Sequence, residues 1–398
     1  MKILYLTNSR LPGEKAHVIQ ILKTCAAMSD KVDIKIVHAR RTNRPWLNAI
    51  EDMKTYYNLT REISIEAIFS LDLFKFVPVI PFGKLFAYKL VFVVQTITYH
   101  ISLLTVIFRE KVDVYYTRDS LTAMLLVIVG KHRKAIVLYE AHYFPSSVIG
   151  VLIAKLLSNY LNGISVLTNT LSDLYIKLGF EPRRVAVIPD AVDLEDFDIC
   201  SKQKARDILE IESSVFLIMY VGHMYRWKGV DTLIEAATLM SEDVDVWLVG
   251  GTPEELPRIE TLVDKLDARN VHIQGYVPYY KVSTYMSAAD VLVVPNSGRY
   301  DISKYYTSPI KLFEYMASKR PIVAANLPSL REVVVDQETA LLFNPDDPNS
   351  LAKAIRLLQV DSELSKELVA NAVLVSRKYT WNNRANNILE FVHKIKAI

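Results

Sequence analysis

Residues 308–326 read SPIKLFEYMASKRPIVAAN, a helical pattern over 308–318 that is followed almost at once by a short apolar strand, PIVAAN (321–326). A strand that is apolar along its length is typical of a parallel sheet covered by helices on both faces. A helix that leads directly into such a strand is one step of a βαβ series. The stretch therefore predicts a parallel sheet wound by helices.

The same alternation continues outward in both directions. Strand candidates recur along the chain, at 215–222, 244–251, 271–277, 291–296, 321–326 and 339–343 in the second half and at 2–8, 33–39, 112–117, 135–142, 163–168 and 184–190 in the first. Helical patterns such as 17–29 and 231–241 lie between them. We therefore predict an α/β protein with two tandem doubly wound, Rossmann-like domains that face each other across a cleft.

A polar and charged stretch, residues 190–214, separates the two series of strands. We expect an N-terminal domain over 1–195 and a C-terminal domain over 196–379. The last helix, 380–398, is expected to pack back on the N-terminal domain. Its apolar residues fall at helical spacing, at Ile388, Phe391, Val392 and Ile395. Because ligands of open parallel sheets bind beyond the carboxyl ends of the strands, the residues just after each strand are the site candidates.

The composition is that of a folded protein without a strong charge bias. The 398 residues are 51% hydrophobic and 23% charged, and the net charge of +3 gives no case for nucleic-acid binding. The two cysteines, Cys25 and Cys200, form no CxxC pair, which fits a reducing, cytoplasmic location. The opening MKILYLTNS is predicted to be a first strand and not a signal peptide.

One apolar segment, LVFVVQTITYHISLLTVIF (90–108), has no Asp, Glu, Lys or Arg over 19 residues and is just long enough to span a bilayer. Polar residues from Gln95 to Thr105 interrupt it, which favours an amphipathic buried helix. The alternative is a membrane-surface helix, since aromatic residues and Lys89 come just before it. Peripheral contact with the inner face of a membrane therefore stays open.

The stretch quoted first also carries a candidate anion site. Ser308 and Pro309 are predicted to be the N-cap and the first helical residue. Lys311 then falls in the first turn, where the helix dipole already places positive charge, which makes sense if an anion binds there. Glu314, one turn on, is placed to accept hydrogen bonds from sugar hydroxyls. The alternative is that Lys311 is a solvated side chain and Glu314 an ordinary helix residue.

A second candidate is the basic loop YVGHMYRWKGVD (220–231), which lies between a predicted strand and a predicted helix. Its two cations, Arg226 and Lys228, suit a diphosphate. Gly222 and Gly229 permit tight backbone turns beside a ligand. A solvated basic loop is the alternative.

These motifs, in this order, resemble the family-4 glycosyltransferases, which have the GT-B fold. The likeness covers nearly the whole chain and is carried by VGHMYRWKG (221–229), SPIKLFEYMASKRPIVA (308–324), LREVV (330–334), VIPDAVDLEDF (187–197), GEKAHVIQILKTCAAMS (13–29), YYTRDS (115–120) and YEAH (139–142). The resemblance implies a retaining, metal-independent glycosyltransferase that uses a nucleoside-diphosphate sugar and no other cofactor. The apolar 77–108 region and the aromatic-rich N-terminal half fit an acceptor carried on a lipid. We therefore expect a glycan or lipid-linked acceptor, as in surface polysaccharide, glycolipid or glycoprotein glycan synthesis.

The resemblance assigns roles position by position. Lys228 matches the lysine that contacts the donor diphosphate, Glu314 the glutamate that holds the nucleotide ribose, and His142 a histidine that approaches the transferred sugar. The remaining matches line the donor, with Gly13, Lys15 and His17 in the first loop, Gly222, His223 and Arg226 in the basic loop, Tyr276 and Val277 beside the base, and Ser308, Pro309, Ile310, Lys311 and Leu312 at the helix start that meets the pyrophosphate.

Two positions depart from the family pattern. The first glutamate of its E-x7-E motif would fall at Tyr306, and an arginine that follows the strand glycine would fall at His223, although Arg226 remains in the same loop. The missing glutamate leaves a second interpretation, a non-catalytic homologue that binds sugar nucleotides or regulates a partner. No group of His, Cys, Asp or Glu residues has metal-ligand spacing, so no metal site is predicted.

Overall fold

The structure, a computed structural model, describes residues 1–79, 84–130, 134–197 and 200–397. The chain divides into two compact units. The first comprises Met1–Val166, Ser172–Ile188 and Arg384–Ile398, and the second comprises Leu167–Leu171 and Pro189–Asn383.

The strands of the described chain are β1 (Lys2–Thr7), β2 (Asp33–Ala39), β3 (Ser64–Ile68), β4 (Val114–Thr117), β5 (Ile136–Ala141), β6 (Gly163–Val166), β7 (Val185–Val187), β8 (Phe216–Val221), β9 (Val244–Val249), β10 (Val271–Gly275), β11 (Val291–Val294), β12 (Ile322–Ala325) and β13 (Leu341–Phe343).

The helices are α1 (Ala16–Ser29), α2 (Pro45–Asn48), α3 (Met53–Tyr56), α4 (Lys84–Arg109), α5 (Ser120–Gly130), α6 (Val148–Tyr160), α7 (Asn169–Leu178), α8 (Lys202–Leu209), α9 (Val230–Ala237), α10 (Leu256–Lys265), α11 (Tyr279–Ala288), α12 (Ile310–Ala317), α13 (Pro328–Arg331), α14 (Pro348–Val360), α15 (Ser362–Ser376) and α16 (Trp381–Lys396). Short 3-10 turns occupy Phe74–Val79, Pro182–Arg184, Leu194–Phe197 and Arg226–Lys228, and a π-helical turn occupies Ile302–Tyr306.

Each unit is built around one parallel sheet. The first sheet has the order β3-β2-β1-β4-β5-β6-β7, and the second has the order β10-β9-β8-β11-β12-β13. In both sheets the chain winds outward from the first strand and then reverses, at the pair β1 and β4 and at the pair β8 and β11. This is the strand order of a doubly wound Rossmann sheet, so the predicted fold class is confirmed.

The boundary between the units lies between Ile188 and Pro189, whereas the sequence suggested residue 195. The reason is that the chain bonds to the second unit as soon as β7 ends. The Asp190 amide donates to Ser308 Oγ at 3.1 Å, and the Val192 amide donates to the Tyr379 carbonyl at 2.9 Å.

The edge strand β3 was absent from the predicted strands. It pairs only with β2, and its side chains are mostly partly exposed. Glu66, in its middle, forms ion pairs with Lys35 at 2.6 Å and with Arg109 at 2.7 Å. A strand with one neighbour and a charged residue at its centre lacks the continuous apolar run that reveals the inner strands.

The final helix, α16, supplies core residues to the first unit from Arg384 onward. Ile388 and Val392 are fully buried, and Phe391 and Ile395 are 6% exposed. The helix lies close to β6, because a Cβ added at Gly163 would come within 2.9 Å of Ile395 Cδ1. The helix α16 therefore contributes several buried side chains to the first unit's core.

Candidate functional site

The candidate site of the second unit lies at the carboxyl ends of β8 and β11, where the winding of the sheet reverses and ligands of such sheets bind. The loops after these two strands touch, since the Ser297 amide donates to the Trp227 carbonyl at 3.0 Å. Gly229 makes the contact possible. Its φ is +67°, and an added Cβ would lie 2.0 Å from the Pro295 carbonyl oxygen, so no other residue fits.

Lys228 closes the 3-10 turn of the basic loop and is partly buried. Its ammonium lies 4.0 Å from the centroid of the Trp227 ring. Burial lowers the pKa of Lys228 to about 8, and the carboxylate of Asp190 offsets part of that effect. Arg226, in the same turn, is exposed. Of the two expected cations, the fold therefore holds Lys228 in a desolvated position and leaves Arg226 in water.

Lys311 is buried, with 8% of its surface exposed. Its ammonium lies 3.6 Å from the centroid of the Tyr220 ring, and Nζ has no hydrogen-bond partner in the described part of the chain. It sits beside the end of β8, because a Cβ added at Gly222 would be 2.9 Å from Nζ. The alternative that Lys311 is a solvated side chain is therefore wrong.

The electrostatics of this region favour an added anion. Burial, followed by the positive charge of Lys228, lowers the pKa of Lys311 well below its usual value, against the attraction of Glu314. A buried ammonium without a hydrogen-bond acceptor is costly, and buried cations in proteins are usually paired. An anion bound beside Lys228 and Lys311 would supply both the missing acceptor and the missing charge.

The start of α12 differs from its prediction. Pro309 is the N-cap, with φ −76° and ψ 121°, and the helix begins at Ile310, so the assignment of Ser308 as N-cap and Pro309 as first helical residue is wrong. Ser308 Oγ is engaged elsewhere, as acceptor for the Asp190 amide. No side chain caps the helix. The first N–H groups of such a helix lack intrahelical partners and are suited to an anion, which here would meet Ile310 and Lys311.

Glu314 lies one turn into α12 and is 5% exposed. The hydroxyl of Tyr279, at the start of α11, donates to Glu314 Oε1 at 3.2 Å. Burial, and then the negative charge of Glu314, raises the pKa of Tyr279 well above its usual value, so the phenol stays protonated and can donate. The glutamate is therefore an oriented carboxylate and not an ordinary surface residue of the helix.

Three further predicted residues lie along the same edge. His223 Nδ1 is 3.3 Å from both carboxylate oxygens of Glu255, and its ring stacks on Tyr225 with a centroid distance of 5.0 Å. Tyr276 and Val277 follow β10, and Val277 packs against the hydrophobic core of the unit. His223 is thus held by Glu255 and Tyr225.

In the first unit, the loop after β1 is fixed by Tyr57. The Tyr57 hydroxyl accepts from the Gly13 amide and donates to the Gly13 carbonyl, both at 2.8 Å. Lys15 is the exposed N-cap of α1 and has no side-chain cap, and His17 lies partly exposed in the first turn. These residues lie at the carboxyl edge of the first sheet.

His142 follows β5 and belongs to a buried polar network. Its Nε2 lies 2.7 Å from Glu140 Oε1, and the same oxygen accepts from Arg384 Nη2 at 2.7 Å. Burial, followed by the charge of Arg118, lowers the pKa of His142 to about 4. His142 is therefore neutral at physiological pH. Because Nε2–H donates to the carboxylate, Nδ1 is left as an acceptor.

Glu140 and Arg384 are functional candidates that the sequence reasoning missed. Glu140 also accepts from Gln20 and Tyr116, and Gln20 in turn accepts from Arg118 Nη1 at 2.8 Å. Despite its burial, Arg384 and His142 hold the pKa of Glu140 well below its usual value. The available signal was a single acid inside the otherwise apolar strand pattern AIVLYEAH, since such acids are rarely buried unless paired.

The structure thus brings Gly222, Lys228, Lys311 and Glu314 together in the second unit, and places Gly13, Lys15, His17 and His142 in the first. Over the ranges of the chain that the structure describes, no group of three or more His, Cys, Asp or Glu residues is arranged to hold a metal ion.

A family model matches most of the second unit. Residues 215–361 match the family model described as glycosyl transferases group 1, which confirms the resemblance that the motifs suggested. The matched range contains the basic loop, α12 and Glu314.

Curated relatives are similar over about half of the chain. A D-inositol 3-phosphate glycosyltransferase of Xylanimonas cellulosilytica is 27% identical over 228 residues, covering 55% of this chain and 53% of that protein. An alpha-maltose-1-phosphate synthase of Mycolicibacterium smegmatis is 27% identical over 233 residues, covering 54% and 58%. The chain therefore spans about half the length of the curated relatives it matches.

Solved structures are similar over the whole chain. The sucrose-phosphate synthase of Thermosynechococcus elongatus has a TM-score of 0.77 at 18% identity, with 100% of both chains covered. Anabaena HepE, in complex with UDP and glucose, has a TM-score of 0.72 at 18% identity, with 98% of both chains covered. At this identity the likeness shows the fold, which is the predicted GT-B type with two Rossmann-like domains.

Proposed function

We propose that this protein is a glycosyltransferase that moves a sugar from a nucleoside-diphosphate sugar to an acceptor hydroxyl, and that the donor nucleotide binds at the carboxyl ends of β8 and β11. The observation that carries the proposal is the buried ammonium of Lys311. It lacks a hydrogen-bond acceptor in the described chain and lies on the first turn of a helix that no side chain caps. A diphosphate fits both features.

The same residues would stabilise the leaving group. When the bond between the anomeric carbon and the diphosphate oxygen breaks, negative charge grows on that oxygen. Lys228, Lys311 and the N-terminus of α12 are fixed in place before this charge develops, which is the arrangement that lowers a barrier most effectively. Glu314, oriented by Tyr279, is placed to accept hydrogen bonds from ribose hydroxyls.

The comparisons support a sugar-nucleotide donor without identifying it. The matched family is a glycosyltransferase family, and one structural neighbour, Anabaena HepE, was solved in complex with UDP-glucose. We propose retention of configuration and independence from a metal on the strength of the family resemblance, with the two lysines in the role that a cation would fill. The acceptor, in the same proposal, is a glycan or a lipid-linked glycan, and the location is cytoplasmic.

The test is nucleotide binding by Lys311→Met, with Lys353→Met on the exposed face of α14 as the matched control. UDP, GDP, ADP and CMP are titrated with and without chelator. We expect one nucleoside diphosphate to bind, and Lys311→Met to weaken it by at least about tenfold, as the loss of a charge-assisted hydrogen bond implies. Lys353→Met should bind normally.

The Lys311→Met variant also has an expected effect on stability. Removing a buried ammonium that lacks a hydrogen-bond acceptor should raise the free energy of unfolding of the nucleotide-free protein by about 1–2 kcal/mol, because the protein no longer bears the desolvation of that charge. Weaker binding together with a less stable fold would instead mean that Lys311 is a structural residue, and the proposed donor site would be abandoned.

A second candidate function rests on Tyr306. The residue ends the π-helical turn at Ile302–Tyr306, where the family places a glutamate, and partial burial raises the pKa of its phenol. A neutral phenol does not supply a carboxylate to the sugar. The candidate is a homologue that binds sugar nucleotides without transferring the sugar. Tight binding of a donor sugar, with no nucleoside diphosphate released on addition of glycan or lipid-linked acceptors, would favour it.

A further inference from the structure

The helix α4 buries a stripe that includes polar side chains and leaves an apolar face outward. Gln95, Tyr99 and Leu103 form a fully buried stripe, and Gln95 Nε2 donates to Asn8 Oδ1 at 2.7 Å. On the other side, Ile97 and Ile101 are 53% and 60% exposed. A surface helix of a water-soluble protein ordinarily shows the opposite pattern.

This outward face continues along the helix. The exposed apolar residues Leu90, Ile97, Ile101 and Phe108 are spaced by seven, four and seven positions, which places them on one side of an α-helix. Within the described residues, α4 is the one helix long and apolar enough to cross a membrane, by length and composition alone. Its buried stripe packs into the first unit, which argues that the helix lies on a surface and does not span one.

Two neighbouring helices extend the apolar surface. The connections β3-α4-β4, β4-α5-β5 and β5-α6-β6 all step in the same direction across the sheet, so right-handed crossovers put α4, α5 and α6 on the same face. His100 Nε2 lies 3.2 Å from Thr122 Oγ1, which joins α4 to α5. The exposed apolar residues on the two added helices include Ile128, Val148, Ile149 and Leu152, which are 61% to 77% exposed. We call α4, α5 and α6 together the apolar helix face.

The charges on the apolar helix face have one sign. None of the three helices contains Asp or Glu, and the charged residues they do contain are Lys84, Lys89, Arg109 and Lys155. Arg109 is ion-paired with Glu66 and Glu110 at the end of α4, whereas Lys89 and Lys155 are exposed beside apolar side chains. An exposed apolar surface that carries such lysines is complementary to an anionic bilayer, where apolar side chains enter the headgroup region and lysines meet lipid phosphates.

We propose that the apolar helix face docks the protein on an anionic lipid bilayer. The apolar residues of α4 and of the first turns of α6 would enter the headgroup region, and Lys89 and Lys155 would contact the phosphates. The occupant is a lipid surface and not a second copy of the chain, because two copies of this face would bring only like charges together.

The docked surface would lie next to a cavity of about 150 Å³ at the carboxyl edge of the first sheet. Gly150 and Ala154 of α6 line it, together with hydroxyl-bearing residues that suit a sugar, Ser120, Tyr139, Tyr143, Ser147 and Tyr175. This step rests on the proposed function. It places a lipid-linked acceptor where its glycan can reach a polar cavity while its lipid stays in the bilayer.

The experiment is co-sedimentation of the full-length protein with vesicles of phosphatidylcholine alone and of phosphatidylcholine mixed with phosphatidylglycerol. The test variant is Ile97→Glu with Ile101→Glu. The matched control, Val360→Glu with Leu374→Glu, changes residues of the second unit that are 80% and 56% exposed. We expect wild type and control to bind the anionic vesicles, and the test variant to bind at least about tenfold more weakly.

A second variant tests the charges. Lys89→Glu with Lys155→Glu should weaken binding to anionic vesicles, and added salt should weaken binding of the wild type, since both remove the attraction between lysines and lipid phosphates. Nucleotide binding should be unchanged in every variant, which separates this proposal from the proposed donor site.

Two outcomes would overturn the proposal. One is wild-type protein that stays in the supernatant with both kinds of vesicle. The other is equal loss of binding in the control variant, which would show that any added acid weakens it. If the wild type binds no vesicles but is a dimer by light scattering, and the Ile97→Glu, Ile101→Glu variant is a monomer, the apolar helix face would be assigned to a second copy of the chain.

Discussion

Lys228 and Lys311 are two like charges in one desolvated region, an arrangement that a folded chain tolerates only at some cost. Both pKa values are depressed in the nucleotide-free protein, so part of the positive charge that a diphosphate needs is withheld until the diphosphate arrives. Binding of the anion should then restore the protons. The affinity of the site is therefore expected to depend on pH within the physiological range and just above it.

The direction in which nucleotide affinity changes with pH follows for Lys228 from its pKa, which is about 8 instead of the ordinary 10.5. Below pH 8 the side chain is charged before binding. As the pH rises through 8, the free protein loses the proton, and each further unit should weaken nucleotide binding by up to about tenfold. Titration calorimetry across this interval measures it. In Lys228→Arg, whose guanidinium stays charged, the part of this pH dependence that Lys228 causes should disappear, and a wild-type affinity that is flat across pH 8 would contradict the assignment.

The lowered pKa of Lys228 makes the free energy of unfolding change with pH in the opposite direction to the nucleotide affinity. The unfolded chain keeps the Lys228 proton up to its ordinary pKa, whereas the folded chain releases it near pH 8. The penalty for a desolvated charge is therefore fully present below pH 8 and is relieved between pH 8 and 10.5, so this group's contribution to the free energy of unfolding rises with pH across that interval. Nucleotide should remove the effect.

Single residues show where sequence reasoning was adequate and where it was not. The position of Lys311 on the first turn of its helix is a local property, and the sequence predicted it. The role of Ser308 could not be predicted from neighbouring residues, because its hydroxyl accepts a hydrogen bond from the Asp190 amide, 118 residues away. Glu140 was missed for the same reason, since its partner Arg384 lies 244 residues further along the chain.

At the scale of elements, two glycines with similar backbone angles should differ greatly in their tolerance of a side chain. Gly229 has a φ of +67° and Gly275 a φ of +71°, so alanine costs about 1–2 kcal/mol at either position from backbone strain. At Gly275 the nearest atom to an added Cβ is 3.6 Å away. At Gly229 it is the Pro295 carbonyl oxygen at 2.0 Å, which forces the loops after β8 and β11 apart.

We therefore expect Gly229→Ala to lower the free energy of unfolding by at least about 3 kcal/mol, as expected for strain combined with overpacking, and Gly275→Ala by about 1–2 kcal/mol. Denaturant unfolding of the two variants side by side measures the difference. Equal losses of the free energy of unfolding would mean that the loops after β8 and β11 can move apart at little cost. Nucleotide binding should fall in Gly229→Ala alone, because that contact positions Lys228.

The elements themselves were predictable wherever hydrophobic patterning decides them. The inner parallel strands are continuous apolar runs, and β8, β9, β11 and β12 were all predicted. The edge strand β3 was missed because one neighbouring strand does not require a full apolar run. The helix α4 was predicted as an amphipathic buried helix, with a membrane-surface helix as the alternative, and the structure leaves one apolar face of it exposed. A pattern that is apolar on most sides does not show which side the protein buries.

At the scale of the whole molecule, the six strands of the second sheet follow the same order as the first six strands of the first sheet, which has one strand more. The first unit is completed by α16. Arg384 ties α16 into that unit. Its Nη2 donates to Glu140 at 2.7 Å, its Nη1 donates to the Ile188 carbonyl at 2.7 Å, and the side chains of Arg384 and Glu140 are each 2% exposed. The pair is a buried ion pair, and such pairs are strongly destabilised when only one partner is removed.

We expect Arg384→Met to lower the free energy of unfolding by about 3–5 kcal/mol, since it leaves the carboxylate of Glu140 buried without its strongest compensating charge. Denaturant unfolding and hydrogen exchange of the β5 amides measure the effect. The double variant Arg384→Met, Glu140→Gln should recover part of the loss. Arg377→Met, which replaces an exposed arginine, serves as the control. A similar loss of the free energy of unfolding in this control would contradict the stabilising role of the buried pair.

The return of α16 to the first unit also sets the order in which the protein can fold on the ribosome. By the time residue 383 has emerged, every residue of the second unit has been made, whereas the first unit still lacks Ile388, Val392 and the arginine that pairs with Glu140. Domains made first usually fold first during synthesis. Here the unit that is begun first is finished last, so a nascent chain should expose an incomplete N-terminal core, and attract chaperones to it, until α16 has emerged.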